Sequence, residues 1–168
     1  MNTLRTTSIN AVFTALVTAA TLLIRIPVPA TQGYINLGDA VVIAAGLLLG
    51  PRTGLIAGGI GSALADWLGG YAHWAPFTLI IKGLEGFLVG LIVTRPWGNL
   101  GIRTLLAAAS GGLTVVGGYF IVEVGLYGFE AALVAAMANT IQALCGVVAG
   151  VATATALRKV IGPPASST

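Results

Sequence analysis

The chain has 168 residues, of which 57% are hydrophobic and only 8% are charged, with a formal net charge of +3. A water-soluble domain carries about a quarter of its residues as charges, so this composition and a mean hydropathy of +0.97 exclude one. They predict an integral membrane protein. Because a membrane helix needs roughly 20 apolar residues, we expect one compact membrane domain over 1–168 with at most about six spans.

The apolar runs predict six helices, and two of them are short. The first ends because Pro27 and Pro29 cannot continue a helix. It is followed by a polar external loop, after which Asp39 is placed to cap the next helix. The second and third runs form either two short helices or a re-entrant hairpin, since Gly50 and Pro51 separate them. The predicted helices cover 8–26, 39–50, 53–68, 76–94, 103–122 and 131–157, and the tail 162–168 is expected to be disordered.

The first apolar run has some features of a secretory signal, with Arg5 before it and small residues after it. It is long for a signal core, and Arg25 interrupts its end. Removing it would also reverse the side of the membrane on which each later loop lies, so the basic loops would no longer be cytoplasmic. We therefore expect it to be retained as the first helix.

The charges predict the orientation of the chain. Cytoplasmic loops gather Lys and Arg, and a zigzag through the bilayer places one group of basic residues on a single side and most acids on the other. Both termini are then cytoplasmic, in a multi-pass protein of the plasma membrane. The basic group is Arg5, Arg52, Arg95, Arg103, Arg158 and Lys159, and the acids are Asp39, Asp66, Glu123 and Glu130. The last two acids are expected in a short turn between the final helices.

Aromatic residues cluster after the third apolar run. Trp67, Tyr71 and Trp74 lie at the predicted external end of that run. Aromatic side chains of this kind are enriched at membrane–water interfaces. The three residues are therefore predicted to form an interfacial belt.

Few residues offer catalytic or metal chemistry. Cys145 and His73 are the single cysteine and histidine of the chain, so the first is expected to act as a small hydrophobe and the second to lie in a wet loop. A metal site and a resident cofactor are not expected. The sequence also lacks a phosphate-binding loop and a nucleophile with a matched base, which argues against an enzyme.

Polar residues inside the predicted helices mark a candidate binding pocket. Lys82 and Glu85 are three residues apart on one helix face, about 9 and 13 Å from its external end. Charges at such depth are costly and mark function by default, although a structural ion pair is the alternative. Asn139 and Gln142 repeat this spacing at a similar depth, and Tyr119 and Glu123 lie on the helix between. The alternative to a shared pocket for a small polar ring compound is polar contact between helices.

Small residues recur at every fourth position. Such stripes allow close approach of helices in membranes, and most are expected to pack the protein's own helices. Spacing alone does not decide whether the first of them binds a partner instead. The stripes are Ala11/Ala15/Ala19, Gly46/Gly50, Gly54/Gly58, Gly86/Gly90 and Gly146/Gly150.

An ordered set of short motifs resembles the substrate-binding S components of energy-coupling factor (ECF) vitamin transporters. The match covers almost the whole chain and is typical of the branch with hydroxymethylpyrimidine, pyridoxine-like and riboflavin carriers. The motifs are the runs 26–30 (IPVPA), 33–39 (GYINLGD), 50–52 (GPR), 58–66 (GGIGSALAD) and 75–86 (APFTLIIKGLEG).

The resemblance implies a six-helix protein that binds a vitamin externally beneath its first loop. It implies that Ala11 and Ala15, with Ala19 one turn further, dock a transmembrane coupling subunit that carries two ATPases. It also implies capture, loop closure and release inside after toppling in the membrane. The substrate-binding residues expected on these grounds, some from depth and polarity alone, are Asn36, Asp39, Trp74, Lys82, Glu85, Tyr119, Glu123, Asn139 and Gln142.

The sequence leaves the ligand open. Lys82 and Glu85 suit a phenolic oxygen and a ring nitrogen of a B6-type molecule, whereas Glu85 and Asn139 suit the aminopyrimidine of a thiamine precursor. Tyr119 and Trp74 can stack on either ring. The runner-up function is a ligand-free membrane scaffold or assembly protein, in which Lys82 and Glu85 form a structural pair.

Overall fold

A computed structural model describes residues 3–96 and 98–161. It contains six helices and one short β-hairpin, in agreement with the predicted all-α bundle. The helices are α1 (Thr3–Leu23), α2 (Gly38–Leu49), α3 (Pro51–Gly69), α4 (Ala75–Thr94), α5 (Leu100–Tyr127) and α6 (Phe129–Ile161). Four of them, α1, α4, α5 and α6, are long and apolar enough to cross a membrane. The predicted disordered tail 162–168 lies outside the described residues.

The polar loop after α1 is a β-hairpin, which the sequence did not predict. Strand β1 (Arg25–Val28) pairs antiparallel with β2 (Gly33–Asn36), and a turn of 3-10 helix at Pro29–Thr31 joins them. Helix α1 runs from Thr3 to Leu23 and so ends three residues before the predicted end at Ile26, because Ile26 already pairs with Ile35 in the sheet. We call this element the hairpin, and the end of the bundle that it covers the hairpin end.

The connection between the last two helices is shorter than predicted. Glu123 and Gly125 lie inside α5 and Glu130 lies inside α6, so the expected turn is wrong. Gly128 alone joins the helices, with a φ of 87°, a backbone conformation that glycine adopts without strain. The sequence placed Glu123 in a turn because of its charge, yet it is buried.

Glycine stripes bring the helix backbones into close contact. A Cβ on Gly54 of α3 would overlap the Gly86 carbonyl of α4, and a Cβ on Gly90 would overlap the backbone at Gly50 and Pro51. Small residues at helix crossings permit this approach. The Gly146/Gly150 pair likewise packs α6 on α2, so the glycine stripes serve internal packing as expected.

The apolar core lies towards the end of the bundle opposite the hairpin. Ile43 and Leu47 of α2 pack there with Val89 and Val93 of α4. Two arginines mark the same end, since Arg158 donates to the Leu47 carbonyl at 2.9 Å and Arg103 donates to the Val93 carbonyl at 3.1 Å. The buried charged residues lie nearer the hairpin end, and they are Asp39, Asp66, Lys82, Glu85 and Glu123.

Candidate functional site

A polar cavity lies beneath the hairpin, between α1, α3, α4, α5 and α6. Its walls combine carboxylates, amides, one ammonium group and aromatic rings. Seven of the nine predicted binding residues line it: Asn36, Trp74, Lys82, Tyr119, Glu123, Asn139 and Gln142. The other two, Asp39 and Glu85, are buried behind Lys82. About 30 Å³ of free volume lies inside, which is room for about two water molecules.

Lys82 is the electrostatic centre of the site. Its side chain is almost fully buried on α4 and pairs with two carboxylates, Asp39 of α2 and Glu85 of the same helix, the latter at 3.2 Å. The predicted contact between Lys82 and Glu85 is present. A buried charge is tolerated when it is paired and hydrogen-bonded, so the two acids hold the ammonium group at the cavity wall.

Asp39 has a different role from the predicted helix cap. The residue that precedes α2 is Leu37, and no side chain caps the helix there. Asp39 lies within the first turn, is 1% exposed, and accepts hydrogen bonds from Lys82 and from Gln142 at 3.0 Å. It therefore joins α2 to α4 and α6.

Two amide side chains connect the hairpin with the buried charges. Gln142 of α6 accepts a hydrogen bond from the Asn36 backbone amide at 2.7 Å and donates to Asp39. The Asn36 side chain accepts from the Gly38 amide at 2.8 Å. The end of β2 is thus fixed to α6 at the cavity wall.

Glu123 and Asn139 form a second polar pair on the α5–α6 side. The Asn139 amide lies 3.4 Å from both carboxylate oxygens of Glu123. Both side chains line the cavity, and both are buried. Long, shared contacts of this kind leave the pair able to hydrogen-bond a ligand.

Trp74 belongs to the cavity and not to an interfacial belt. It is 3% exposed, whereas Trp67 is 69% exposed as a belt residue would be. Its ring packs edge-on against Tyr119 at 5.8 Å and stacks on Tyr127 at 6.0 Å. The Trp74 indole also donates to the Gln32 carbonyl at 3.3 Å. The tryptophan is therefore an aromatic wall that also holds the hairpin.

Tyr34 and Asp66 also line the cavity, although they were not among the predicted binding residues. The Tyr34 hydroxyl of β2 donates to Asp66 Oδ1 of α3 at 2.6 Å. Burial and the adjacent carboxylate raise the pKa of Tyr34, which keeps the hydroxyl protonated as a donor. The Gly33-Tyr34 and Ala65-Asp66 motifs were available as a signal, because both fall in the runs that carry the family resemblance.

The stripe of small residues on α1 lies on the surface. Ala11, Ala15 and Ala19 are exposed and line a shallow groove with neighbouring threonines and with Leu64 of α3. The groove is mostly apolar. It is separate from the cavity, so the two features are independent surfaces of one bundle.

Together the apolar helices and the partly open polar cavity are typical of a multi-pass membrane protein that binds a small molecule. The family described as ECF-type riboflavin transporter, S component, matches residues 1–159. The chain belongs to this family and is therefore the substrate-specific subunit of a vitamin transporter. An S component is a transport subunit and is not itself an enzyme.

Two relatives extend over most of the chain. An uncharacterised protein of Pyrococcus woesei is 45% identical over 147 residues, covering 88% of this chain and 97% of the relative. The thiamine precursor transporter HmpT of Lactococcus lactis is 33% identical over 154 residues, covering 91% of this chain and 82% of the relative. The recognised family, the membrane character and the transport function are confirmed by these matches, and a ligand-free scaffold is not favoured.

Proposed function

We propose that the chain binds a one-ring vitamin precursor of the hydroxymethylpyrimidine type in the cavity beneath the hairpin. The observation that carries this proposal is the convergence of buried amides, carboxylates and aromatic rings on one partly open cavity. Sites for small molecules place a few hydrogen-bonding groups within apolar and aromatic walls. The similarity to HmpT, which is described as a thiamine precursor transporter, supports this ligand class.

The cavity favours a small ligand over a flavin. Its free volume of about 30 Å³ must grow for any vitamin, and a single ring needs far less growth than three fused rings. Outward movement of the hairpin would supply this growth, because the hairpin covers the cavity and is held to the helices there by individual hydrogen bonds, such as that of Tyr34 with Asp66. A pyridoxine-like molecule has similar size, so it is the second candidate, and riboflavin is the third.

The hairpin end faces outward in the proposed orientation, and both termini are cytoplasmic. Arg52, Arg95, Arg103 and Arg158 all lie at the opposite end of the bundle, as the positive-inside rule requires of cytoplasmic loops. Arg25 is the exception, at the hairpin end. It donates to the Gly69 carbonyl at 2.9 Å, where the partial negative charge of a helix C-terminus compensates it.

The proposed transport cycle uses partner subunits. The exposed Ala11, Ala15 and Ala19 stripe docks a transmembrane coupling subunit, and two ATPase subunits supply the energy. The ligand enters from outside, the hairpin closes over it, and release follows on the inside. The shallow apolar groove along α1 supports helix docking, since small residues allow a partner helix to approach closely.

Ala15→Leu is expected to break docking without changing ligand affinity. A larger side chain on the stripe holds a partner helix away, and overpacking of this kind costs about 1–3 kcal/mol, which corresponds to about 5- to 150-fold in affinity. The measurement is the amount of coupling subunit that co-purifies with the variant, together with ligand binding to the isolated chain.

Ala152→Leu provides the matched control for docking. Ala152 is also exposed on a long apolar helix, α6, but it is not part of the groove. Co-purification equal to wild type is expected for this control. Equal co-purification of Ala15→Leu and Ala152→Leu would contradict docking at the stripe.

The ligand is identified by mass spectrometry of small molecules released when detergent-purified protein is denatured. A pyrimidine released from wild type and absent from folded Asn139→Ala is the expected result, because Asn139 lines the cavity. A released flavin or pyridine would replace the proposed ligand by the corresponding alternative. The absence of any released vitamin, with no thermal stabilisation by an added vitamin panel, would overturn the proposed binding function.

A further inference from the structure

Asp66 has one carboxylate oxygen that the fold does not use. Asp66 is 3% exposed and lines the cavity. Its Oδ1 accepts the hydrogen bond from Tyr34, whereas its Oδ2 is buried without a hydrogen-bond partner among the described residues. The hydroxyl of Thr78 also faces this carboxylate, but it pairs with the Tyr119 hydroxyl at 3.0 Å. Leaving a buried acceptor unsatisfied is costly, and more so for a charged group. A ligand that donates a hydrogen bond to such an acceptor at the cavity wall would therefore bind more tightly.

The balance of charge around the cavity indicates what kind of donor fits. Asp66 and Glu123 both contribute carboxylates to the lining, and Lys82 is the one cation among the described lining residues. The Lys82 ammonium group is already held by Asp39 and Glu85. The cavity therefore offers a carboxylate oxygen that can accept a hydrogen bond from a ligand, whereas the one cation of its described lining is already paired.

We propose that Asp66 binds an N–H donor of the ligand through Oδ2 and thereby selects amino-bearing, unphosphorylated precursors. This inference rests on the proposed function and adds to it the residue that recognises the ligand amino group. A carboxylate accepts hydrogen bonds and donates none when ionised. A neutral or protonated aminopyrimidine satisfies it, whereas a phosphate ester brings like charge to two carboxylates.

The central experiment combines a protein variant with a ligand variant. Wild type and Asp66→Asn are purified in detergent and titrated with hydroxymethylpyrimidine, which carries an exocyclic amino group, with its deamino analogue and with its phosphate ester. Asn has the same shape, but presents either a weaker acceptor or a donor at this position. A hydrogen bond to a charged group predicts about 10- to 100-fold weaker binding of the amino compound to Asp66→Asn. The deamino analogue is expected to bind both proteins with similar affinity.

Two further variants test whether the effect of Asp66→Asn comes from a weakened hairpin contact or from the loss of one negative charge. Tyr34→Phe removes the hydrogen bond from the hairpin and leaves the Asp66 carboxylate intact. It is expected to weaken binding of the amino compound and of the deamino analogue to a similar extent, and so to retain the preference for the amino compound. Glu130→Gln removes an acid that is exposed and outside the cavity, and wild-type affinity is expected. If Asp66→Asn does not fold, Asp66→Ser also removes the carboxylate while providing a hydroxyl that can accept the hydrogen bond from Tyr34.

The outcomes distinguish this inference from the proposed function. Failure of wild type to bind hydroxymethylpyrimidine overturns both. Tight binding by wild type with equal affinity of Asp66→Asn overturns only the role of Asp66. The role is also overturned if Tyr34→Phe loses the amino preference to the same extent, or if the phosphate ester binds wild type as tightly as the parent compound.

Discussion

Lys82→Met is expected to lower the free energy of unfolding by about 3–5 kcal/mol, the cost of breaking a buried ion pair from one side. Lys82 is the group that pairs with both Asp39 and Glu85, and both acids are essentially unexposed. Methionine has a similar length, so the change removes the charge with little change in packing. Thermal unfolding of detergent-purified protein, followed by tryptophan fluorescence, measures the effect.

The same measurement on two other variants establishes that charge imbalance is the cause. The triple variant Lys82→Met/Asp39→Asn/Glu85→Gln carries no buried charge at this centre, and it is expected to regain most of the lost stability. Lys159→Met removes an exposed lysine and is expected to unfold as wild type does. A triple variant no more stable than Lys82→Met alone would contradict the explanation. Ligand binding is expected to be weak in both Lys82 variants, because Lys82 lines the cavity.

Gly54→Ala is expected to cost at least about 3 kcal/mol, at the upper end of overpacking effects. The added methyl group would overlap the Gly86 carbonyl of α4. That neighbour is backbone, so relief requires α3 and α4 to separate along a contact that also includes Gly58 and Gly59. A low yield of monodisperse protein and a lowered unfolding temperature are the expected observations.

Gly117→Ala is the matched control for this prediction. Gly117 also lies within a long helix, α5, but a Cβ there meets nothing within 4 Å. Replacing a helical glycine by alanine at an open position gains up to about 1 kcal/mol, so this variant is expected to be as stable as wild type or slightly more. Equal stability of Gly54→Ala and Gly117→Ala would mean that α3 and α4 do not approach as closely as described.

The sequence predicted the helices and much of the cavity because polar residues are conspicuous in membrane helices. Lys82 with Glu85, and Asn139 with Gln142, were placed on single faces by their spacing. Each pair lies in one regular helix, where spacing determines the face. The same spacing gave no information on partners in other helices.

The parts that could not be predicted depend on contacts distant in sequence. The second partner of Lys82 is Asp39, which is 43 residues away, and Tyr34 reaches Asp66 across 32 residues. The hairpin was missed because its strands have four residues each and contain Pro and Gly, which weakens any alternating pattern. Glu123 was misplaced because a lone charge near a glycine is typical of a turn, and its partner Asn139 was not known to lie opposite.

Helix α1 and the hairpin form one uninterrupted stretch of backbone, with Ile24 alone between Leu23 and Arg25. The same helix carries Ala11, Ala15 and Ala19 on its outer surface and contributes Thr21 to the cavity wall. It is also the least buried of the four long apolar helices. A tilt or shift of α1 would therefore displace the hairpin as well, because only one residue separates the two elements.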